Sequence, residues 1–347
     1  MNKSSFRSFD LKIRGIPLYT GFVFFICILS IVSVYGLVIG AGLNPFSSTL
    51  KKQYSVEMKV DVDHGGSIIE DKIDSRLNSQ SSKLENIYRK NKNITVNELI
   101  KKFEIENYSW ELIQSVDEKI PRIFTEFLPV DITNVVSIKK RKNLFIATVI
   151  PLVLLVNEEI LSDRIRVLKL LEDKKSYEQL NFKDREWLKK LIERYELKEF
   201  DYIELLTRMD VIPPSLAIAQ AAEESGWGTS RFAREGNALF GLYTFKKSAG
   251  MRPLRQDDGQ QYLVKTYDSL LAAVRSYIHN LNYHNAYASF REKRLIQRNK
   301  YDALDSIKLT HELSRYSVRG KEYVKTIQKI ISSNALEKLD QKTLFLK

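Results

Sequence analysis

PPSLAIAQAAEESGWGTSRFAREGNALFG, residues 213–241, opens on two prolines, runs through small helix formers to two adjacent carboxylates, and breaks on Ser-Gly-Trp-Gly. Proline suits a first helical turn, where its missing N–H costs nothing, so a helix is expected to open at Pro213 and Pro214. Gly226 is placed to end it, which leaves Glu223 and Glu224 in the last turn. The ordinary reading of such a pair is a solvated helix end. A second reading starts from position: Glu224 meets the negative end of the helix dipole, and Trp227 beside it would remove water. Both effects raise a carboxyl pKa. Ala217, Gln220 and Ala221 share the helical face of Glu224, so that face is low in profile and expected to line a cleft.

Working outward, the last third from about Phe200 is mostly helical. Residues 241–267 contain strand-like pieces around Gly250 and Gly259, read as a small hairpin or extended loop. Asp268 is the expected N-cap of a helix with Leu271, Val274, Ile278 and Leu281 on its apolar side. Upstream, residues 108–199 form a helical companion region: Leu161, Ile165, Leu168 and Leu171 recur at helical spacing, then Trp187, Leu191 and Tyr195. The apolar run Leu144–Val156 is too short to cross a bilayer and is followed by Asn157, Glu158 and Glu159, so it reads as a buried core helix. Residues 44–107 are polar and lack a sustained apolar stripe, as expected of a linker or arm.

No charged residue occurs between Gly15 and Leu50. Residues 16–43 are apolar enough for one transmembrane helix, which needs roughly 20 residues. Lys3, Arg7, Lys12 and Arg14 precede it against one Asp10, so residues 1–15 are expected in the cytoplasm and the C-terminal part in the periplasm or outside. A cleaved signal peptide is the rival reading, though its apolar core is usually about 7 to 15 residues. The excess of 55 Lys and Arg over 43 Asp and Glu, a formal charge of +12, suits a polyanionic partner. Charge alone does not choose among nucleic acid, membrane and wall polymer.

Several hydrolytic chemistries lack their groups here. The one cysteine, Cys27, lies inside the apolar segment, so the remainder has no thiol nucleophile and no disulfide. His64, His279, His284 and His311 form no metal-ligand pattern, and no cofactor or metal is expected. No nucleophile-elbow or phosphate-loop motif occurs. Glycoside hydrolysis asks for less: one carboxyl that stays protonated, and stabilisation of an oxocarbenium-like transition state. Glu224 meets the first requirement.

The run from Pro213 to Gly241 resembles the glucosaminidase family of peptidoglycan hydrolases, glycoside hydrolase family 73, of the Bax type. In that family a helix ends in Glu-Ser-Gly-Trp-Gly and the Glu before Ser is the acid, which here is Glu224. The family's Asn-x-Leu-Phe-Gly corresponds to Asn237–Gly241, and its two later tyrosines resemble Tyr316 and Tyr323. The resemblance covers about 200–335. It implies a mainly α, lysozyme-like domain with a small β-lobe over 200–340, cutting the β-1,4 bond after N-acetylglucosamine in glycan strands. Asp257 and Asp258 in the β-lobe are candidates for a second catalytic carboxylate, with Glu235 behind them; the substrate's own 2-acetamido group is the alternative. Tyr316 joins the catalytic set. Gln220, Trp227, Asn237, Phe240, Tyr243 and Tyr323 are the expected substrate contacts, although Phe240 also reads as core. The expected partners are peptidoglycan and the cytoplasmic membrane, with no nucleic acid. A lytic transglycosylase or muramidase using the same Glu, and a catalytically silent glycan-binding scaffold, stay open as alternatives.

Overall fold

The computed structural model describes residues 12–13, 16–17, 94–115, 119–172, 177–253, 262–301 and 303–346. The chain divides into two units, Met1–Asp63 and His64–Lys347. In the first, β1 (Lys12–Ile13) and β2 (Ile16–Pro17) pair antiparallel, with Lys12 opposite Pro17. Ile16 and Pro17, expected at the head of a membrane helix, stand in that strand pair. The rest of the expected anchor, 18–43, lies outside the described residues.

In the second unit the first described residue, Ile94, is already part of the packed body and lies inside the segment expected to be a polar arm. Helix α1 (Val96–Ile105) starts in a capping box, where the Thr95 hydroxyl accepts from the Glu98 N–H and the Glu98 carboxylate accepts from the Thr95 N–H. Val96, Leu99 and Phe103, spaced three and four apart, are buried in the core. The stripe is one turn shorter than a pattern search rewards, and Lys101 and Lys102 beside it mask it. Helix α2 (Trp110–Gln114) follows, capped by Ser109.

Helix α3 (Ile138–Glu172) runs 35 residues and absorbs both the apolar run and the stripe after it. Among the described residues it is the helix long and apolar enough to cross a membrane, but 83% of its most apolar window is buried inside the protein. It is a core helix, as the sequence suggested. Pro151 cannot donate to the carbonyl of Ala147, and the Tyr108 hydroxyl fills that gap at 3.1 Å. The stripe itself is turned by one residue from expectation. Ile160, Arg164, Val167 and Leu170 are the buried positions, and Leu161, Ile165, Leu168 and Leu171 flank them half-buried. Arg164 causes the shift: it is buried, donating to the carbonyls of Leu206 and Met209, so a charged residue occupies the centre of the core face.

Helices α4 (Phe182–Arg194) and α5 (Tyr202–Arg208) lead to α6 (Pro214–Ser225), the helix of the quoted stretch. Every α6 residue from Pro214 to Ala222 is buried, with α3 and later helices packed around it. A helix apolar on all sides belongs in a core, and its alanines let neighbouring backbones approach. The segment before it is held by buried polar groups. Asn157 exchanges two hydrogen bonds with the Ile212 backbone, Nδ2 to O at 2.8 Å and N to Oδ1 at 3.2 Å. Burial disfavours charge on Asp210, but Arg298, Arg164 and Arg294 overcome it and hold that carboxyl well below the usual range.

After the short α7 (Arg231–Gly236) come β3 (Tyr243–Thr244), β4 (Gly250–Met251) and β5 (Leu263–Lys265). They form an antiparallel sheet in the order β3-β5-β4, with Val264 opposite both Tyr243 and Met251. The expected hairpin is thus a three-stranded lobe with the last strand central. Helix α8 (Leu270–Tyr283) is capped by Ser269, not Asp268: the Ser269 hydroxyl accepts from the Ala272 N–H at 3.1 Å. Helices α9 (Ala288–Lys300), α10 (Ser306–Thr310) and α11 (Lys321–Ser333) complete the body.

Candidate active site

The end of α6 is built by three successive left-handed residues. Gly226, Trp227 and Gly228 have φ of 58°, 58° and 82°. The Gly226 and Trp227 amides both return to the Ala222 carbonyl, and Gly228 N–H donates to Ser225 Oγ at 2.9 Å. This tight closure leaves Glu223 and Glu224 in the final turn, pointing to different neighbours.

Glu223 meets Arg319, whose guanidinium also donates to Thr326 Oγ1 at 2.7 Å. Glu224 turns the other way, into a nest of tyrosines. Its carboxyl is pushed up to about 7, first by burial, with the Glu223 charge adding to the rise; a hydrogen bond from Tyr323 and the charge of Arg319 oppose it. The charge of Glu224 is felt in turn by Tyr243, Tyr277, Tyr287, Tyr316 and Tyr323. Gly241, with φ of 62°, closes the site from the Asn-x-Leu-Phe-Gly turn. A Cβ there would stand 2.8 Å from Glu224 Oε2, so any larger residue would push into the carboxyl.

Behind Glu224 lies a buried hydrogen-bond chain. Tyr277 Oη donates to Gln220 Oε1 at 2.7 Å, and Gln220 Nε2 donates to Tyr323 Oη at 2.9 Å. The Phe240 and Tyr277 rings stack at 3.9 Å and 7°, and the Tyr316 and Tyr323 rings at 5.6 Å and 8°. Tyr316 Oη donates to the Phe240 carbonyl at 2.8 Å, which ties the two stacks together.

This arrangement reassigns several expected contacts. Gln220 is fully buried with both amide ends engaged, and with Ala217 and Ala221 it packs in the core instead of lining a cleft. Phe240 is 2% exposed and spends its face on Tyr277, so it is core. Asn237 is likewise buried; it ends α7 in a left-handed conformation and donates to the Tyr267 carbonyl at 3.0 Å, a joint between α7 and the sheet lobe. Of the two later tyrosines, Tyr316 has its hydroxyl held by backbone, whereas the hydroxyl of Tyr323, 1% exposed, reaches Glu224. Trp227 sets its ring edge-on to Phe145 at 5.9 Å with Lys142 Nζ 4.6 Å above it, so it anchors the α6 end to α3. Tyr243 does stay open at 64% exposure, tilted against Tyr262 at 4.7 Å. Glu235 pairs with Arg231 at 3.4 Å. Asp257 and Asp258 lie outside the described residues.

Sequence reasoning missed Tyr277, Tyr287, Tyr262, Arg319 and the role of Gly241. Only Gly241 stood inside a recognisable motif. A cavity of about 610 Å³ is lined by Phe103, Tyr108, Trp110 and Leu144, and Glu224 is not among its lining residues. No cluster of three or more His, Cys, Asp or Glu placed to hold a metal occurs among the described residues.

Residues 200–336 match the Glucosaminidase family, described as mannosyl-glycoprotein endo-beta-N-acetylglucosaminidase. That matched stretch contains the whole Glu224 site. Its sequence is similar to that of protein Bax of Escherichia coli (strain K12), 34% identical over 189 residues. The match takes in 53% of this chain and 66% of Bax, just under two thirds of the relative's length. The catalytic domain of the autolysin Auto from Listeria monocytogenes aligns at 23% identity and a TM-score of 0.30, over 44% of this chain and 80% of that domain.

Proposed function

We propose that the chain is a membrane-anchored peptidoglycan hydrolase that cuts the β-1,4 bond after N-acetylglucosamine, with Glu224 as general acid. The observation that carries this reading is a single carboxyl, inside the family-matched stretch, held at about 7 with a hydroxyl donor beside it. An ordinary glutamate is ionised at neutral pH, whereas this one is part protonated and can deliver a proton.

Protonated Glu224 donates to the glycosidic oxygen. The bond from C1 to that oxygen breaks, the next sugar leaves with a free 4-hydroxyl, and positive charge develops on the ring. Glu224 is now a carboxylate, and Tyr323 and Arg319 are placed to stabilise it. Water adds to C1 and returns a proton to Glu224, which leaves reducing-end N-acetylglucosamine. Glu223 is unsuited to share this work, because Arg319 engages it. Asp257, Asp258 or the substrate's 2-acetamido group supplies the second catalytic function. Exposed Tyr243 offers an aromatic face to a sugar ring. The mainly helical body with its three-stranded lobe is read as lysozyme-like, preceded by the companion helices of 108–199 and tethered by the apolar segment 16–43 with its C-terminal side outside the cytoplasm.

Digestion of purified sacculi tests the reaction. Fragments ending in reducing N-acetylglucosamine support the reading. Reducing muramic acid would make the protein a muramidase, anhydro-muramic acid a lytic transglycosylase, and no product a glycan-binding scaffold; each of these overturns it.

A further inference from the structure

We propose that Gln220 is a positioning residue that sets the direction of the hydrogen bonds behind Glu224, so that Tyr323 presents its proton to the carboxyl. The proposal rests on the reading of Glu224 as the acid. Gln220 has one accepting end and one donating end, and both are used: Oε1 accepts from Tyr277 and Nε2 donates to Tyr323. Tyr323 has one proton. With a lone pair occupied by the amide, that proton is directed to Glu224. If the amide turned over, Tyr323 would donate to Gln220 and offer Glu224 only a lone pair, which would favour the neutral acid.

One amide orientation therefore decides whether the tyrosine stabilises the carboxylate formed during proton transfer or opposes its formation. The surroundings hold the two phenols at the ends of that amide. Tyr277 is pinned by its stack on Phe240, Tyr323 by its stack on Tyr316, and the Tyr316 hydroxyl by the Phe240 carbonyl. Gln220, Tyr277 and Tyr323 are each at most 1% exposed, so no solvent competes for their hydrogen bonds. The other groups facing Glu224 are Glu223 on α6, Arg319 ahead of α11, Tyr243 on β3, and Tyr287 and Tyr316 in the turns after α8 and α10. The hydrogen bonds of the Gln220 amide go to Tyr277 and Tyr323.

The test is the pH profile of kcat/KM on purified peptidoglycan with the full chain. The wild type should lose activity on the basic side as Glu224 loses its proton. Tyr323→Phe removes the donor to the carboxylate, so the basic limb should move to higher pH by about one unit while the maximum rate falls. Gln220→Glu accepts from both hydroxyls and turns the Tyr323 proton away, so its limb should rise too, and Tyr323→Phe added to it should shift the limb little further. Tyr277→Phe is the gentler variant: it keeps the stack on Phe240, introduces no charge and frees the amide to turn. Its limb should rise by a smaller amount. If Tyr277→Phe folds with the wild-type limb unmoved, the proposal is overturned, whether or not Gln220→Glu folds. Glu224→Gln separates the two readings. Retained activity there removes the acid assignment and this inference together. An inactive Glu224→Gln with unmoved limbs in the other variants removes the inference alone.

Discussion

Glu223 and Glu224 are chemically identical neighbours given different environments by about 100° of helical rotation. Glu224→Gln keeps the shape and removes the transferable proton, so activity on peptidoglycan should fall by about 100-fold or more. Glu223→Gln should keep most activity. Because the Glu223 charge helps raise Glu224, its removal should also move the basic limb of the pH profile down, opposite to the shift expected for Tyr323→Phe. Stability gives an independent check. The folded Glu224 carboxyl, at about 7 against an ordinary 4.5, holds its proton more tightly than the unfolded one. Stability is therefore lost as pH rises from about 4.5 to 7, and the loss is complete above that window. Its upper limit is on the order of 3 kcal/mol. Glu224→Gln should thus melt higher than wild type at pH 8 and alike at pH 4. Equal melting at both pH values would show that the carboxyl is not shifted.

At the scale of elements, two helices depend on distant residues for backbone partners. Helix α6 begins at Pro213–Pro214 without a side-chain cap of its own. Asp340 supplies one from 125 residues downstream, accepting from Ser215 N–H at 2.8 Å and from Ser215 Oγ at 2.7 Å. Burial raises the Asp340 carboxyl to about 6 even though the Ser215 bonds oppose the rise. Asp340→Ala should destabilise the protein by about 1 to 2 kcal/mol, the usual cost of a lost cap, read as a lower denaturant midpoint with an unchanged slope. Helix α3 depends on Tyr108 in the same way. Tyr108→Phe leaves the Ala147 carbonyl opposite Pro151 unpaired in the core and should cost about 1 to 3 kcal/mol. In a Pro151→Ala background the helix regains its own donor, so the effect of Tyr108→Phe should shrink.

At the scale of the molecule, the packed body of the second unit includes α1. Val96, Leu99, Phe103 and Tyr108 enter the same core as α3 and α6. A chain starting at Ile94 should therefore unfold cooperatively without detergent. A chain starting at Ser109 exposes the core face that α1 covers and should aggregate or melt at lower temperature. If the shorter chain is equally stable, α1 is an appendage. The orientation proposed for the N-terminal segment is read by reporters fused after Leu50 and after Lys347. Both should be active outside the cytoplasm, and activity of either inside would reverse the topology.

The sequence by itself determined whatever is written within a few turns of chain. Pro213 and Pro214 at the start of the helix, Gly226 after it, Glu224 in its last turn and the Asn237–Gly241 turn are local signals, and each stands in the structure where the sequence places it. The buried character of Leu144–Val156 was legible for the same reason, since an apolar run of that length has no other place to go. The tertiary structure alone decided which groups surround the carboxyl. Gln220 finds Tyr277 at a separation of 57 residues and Tyr323 at 103, and a contact across such distances leaves no periodic trace. The same limit hid Asp340 above Ser215 and Tyr108 beneath Pro151. It also turned the α3 stripe by one residue, because the pattern scores Arg164 as a surface position. The carbonyls of Leu206 and Met209 and the Asp210 carboxylate, brought near by folding, make its burial favourable.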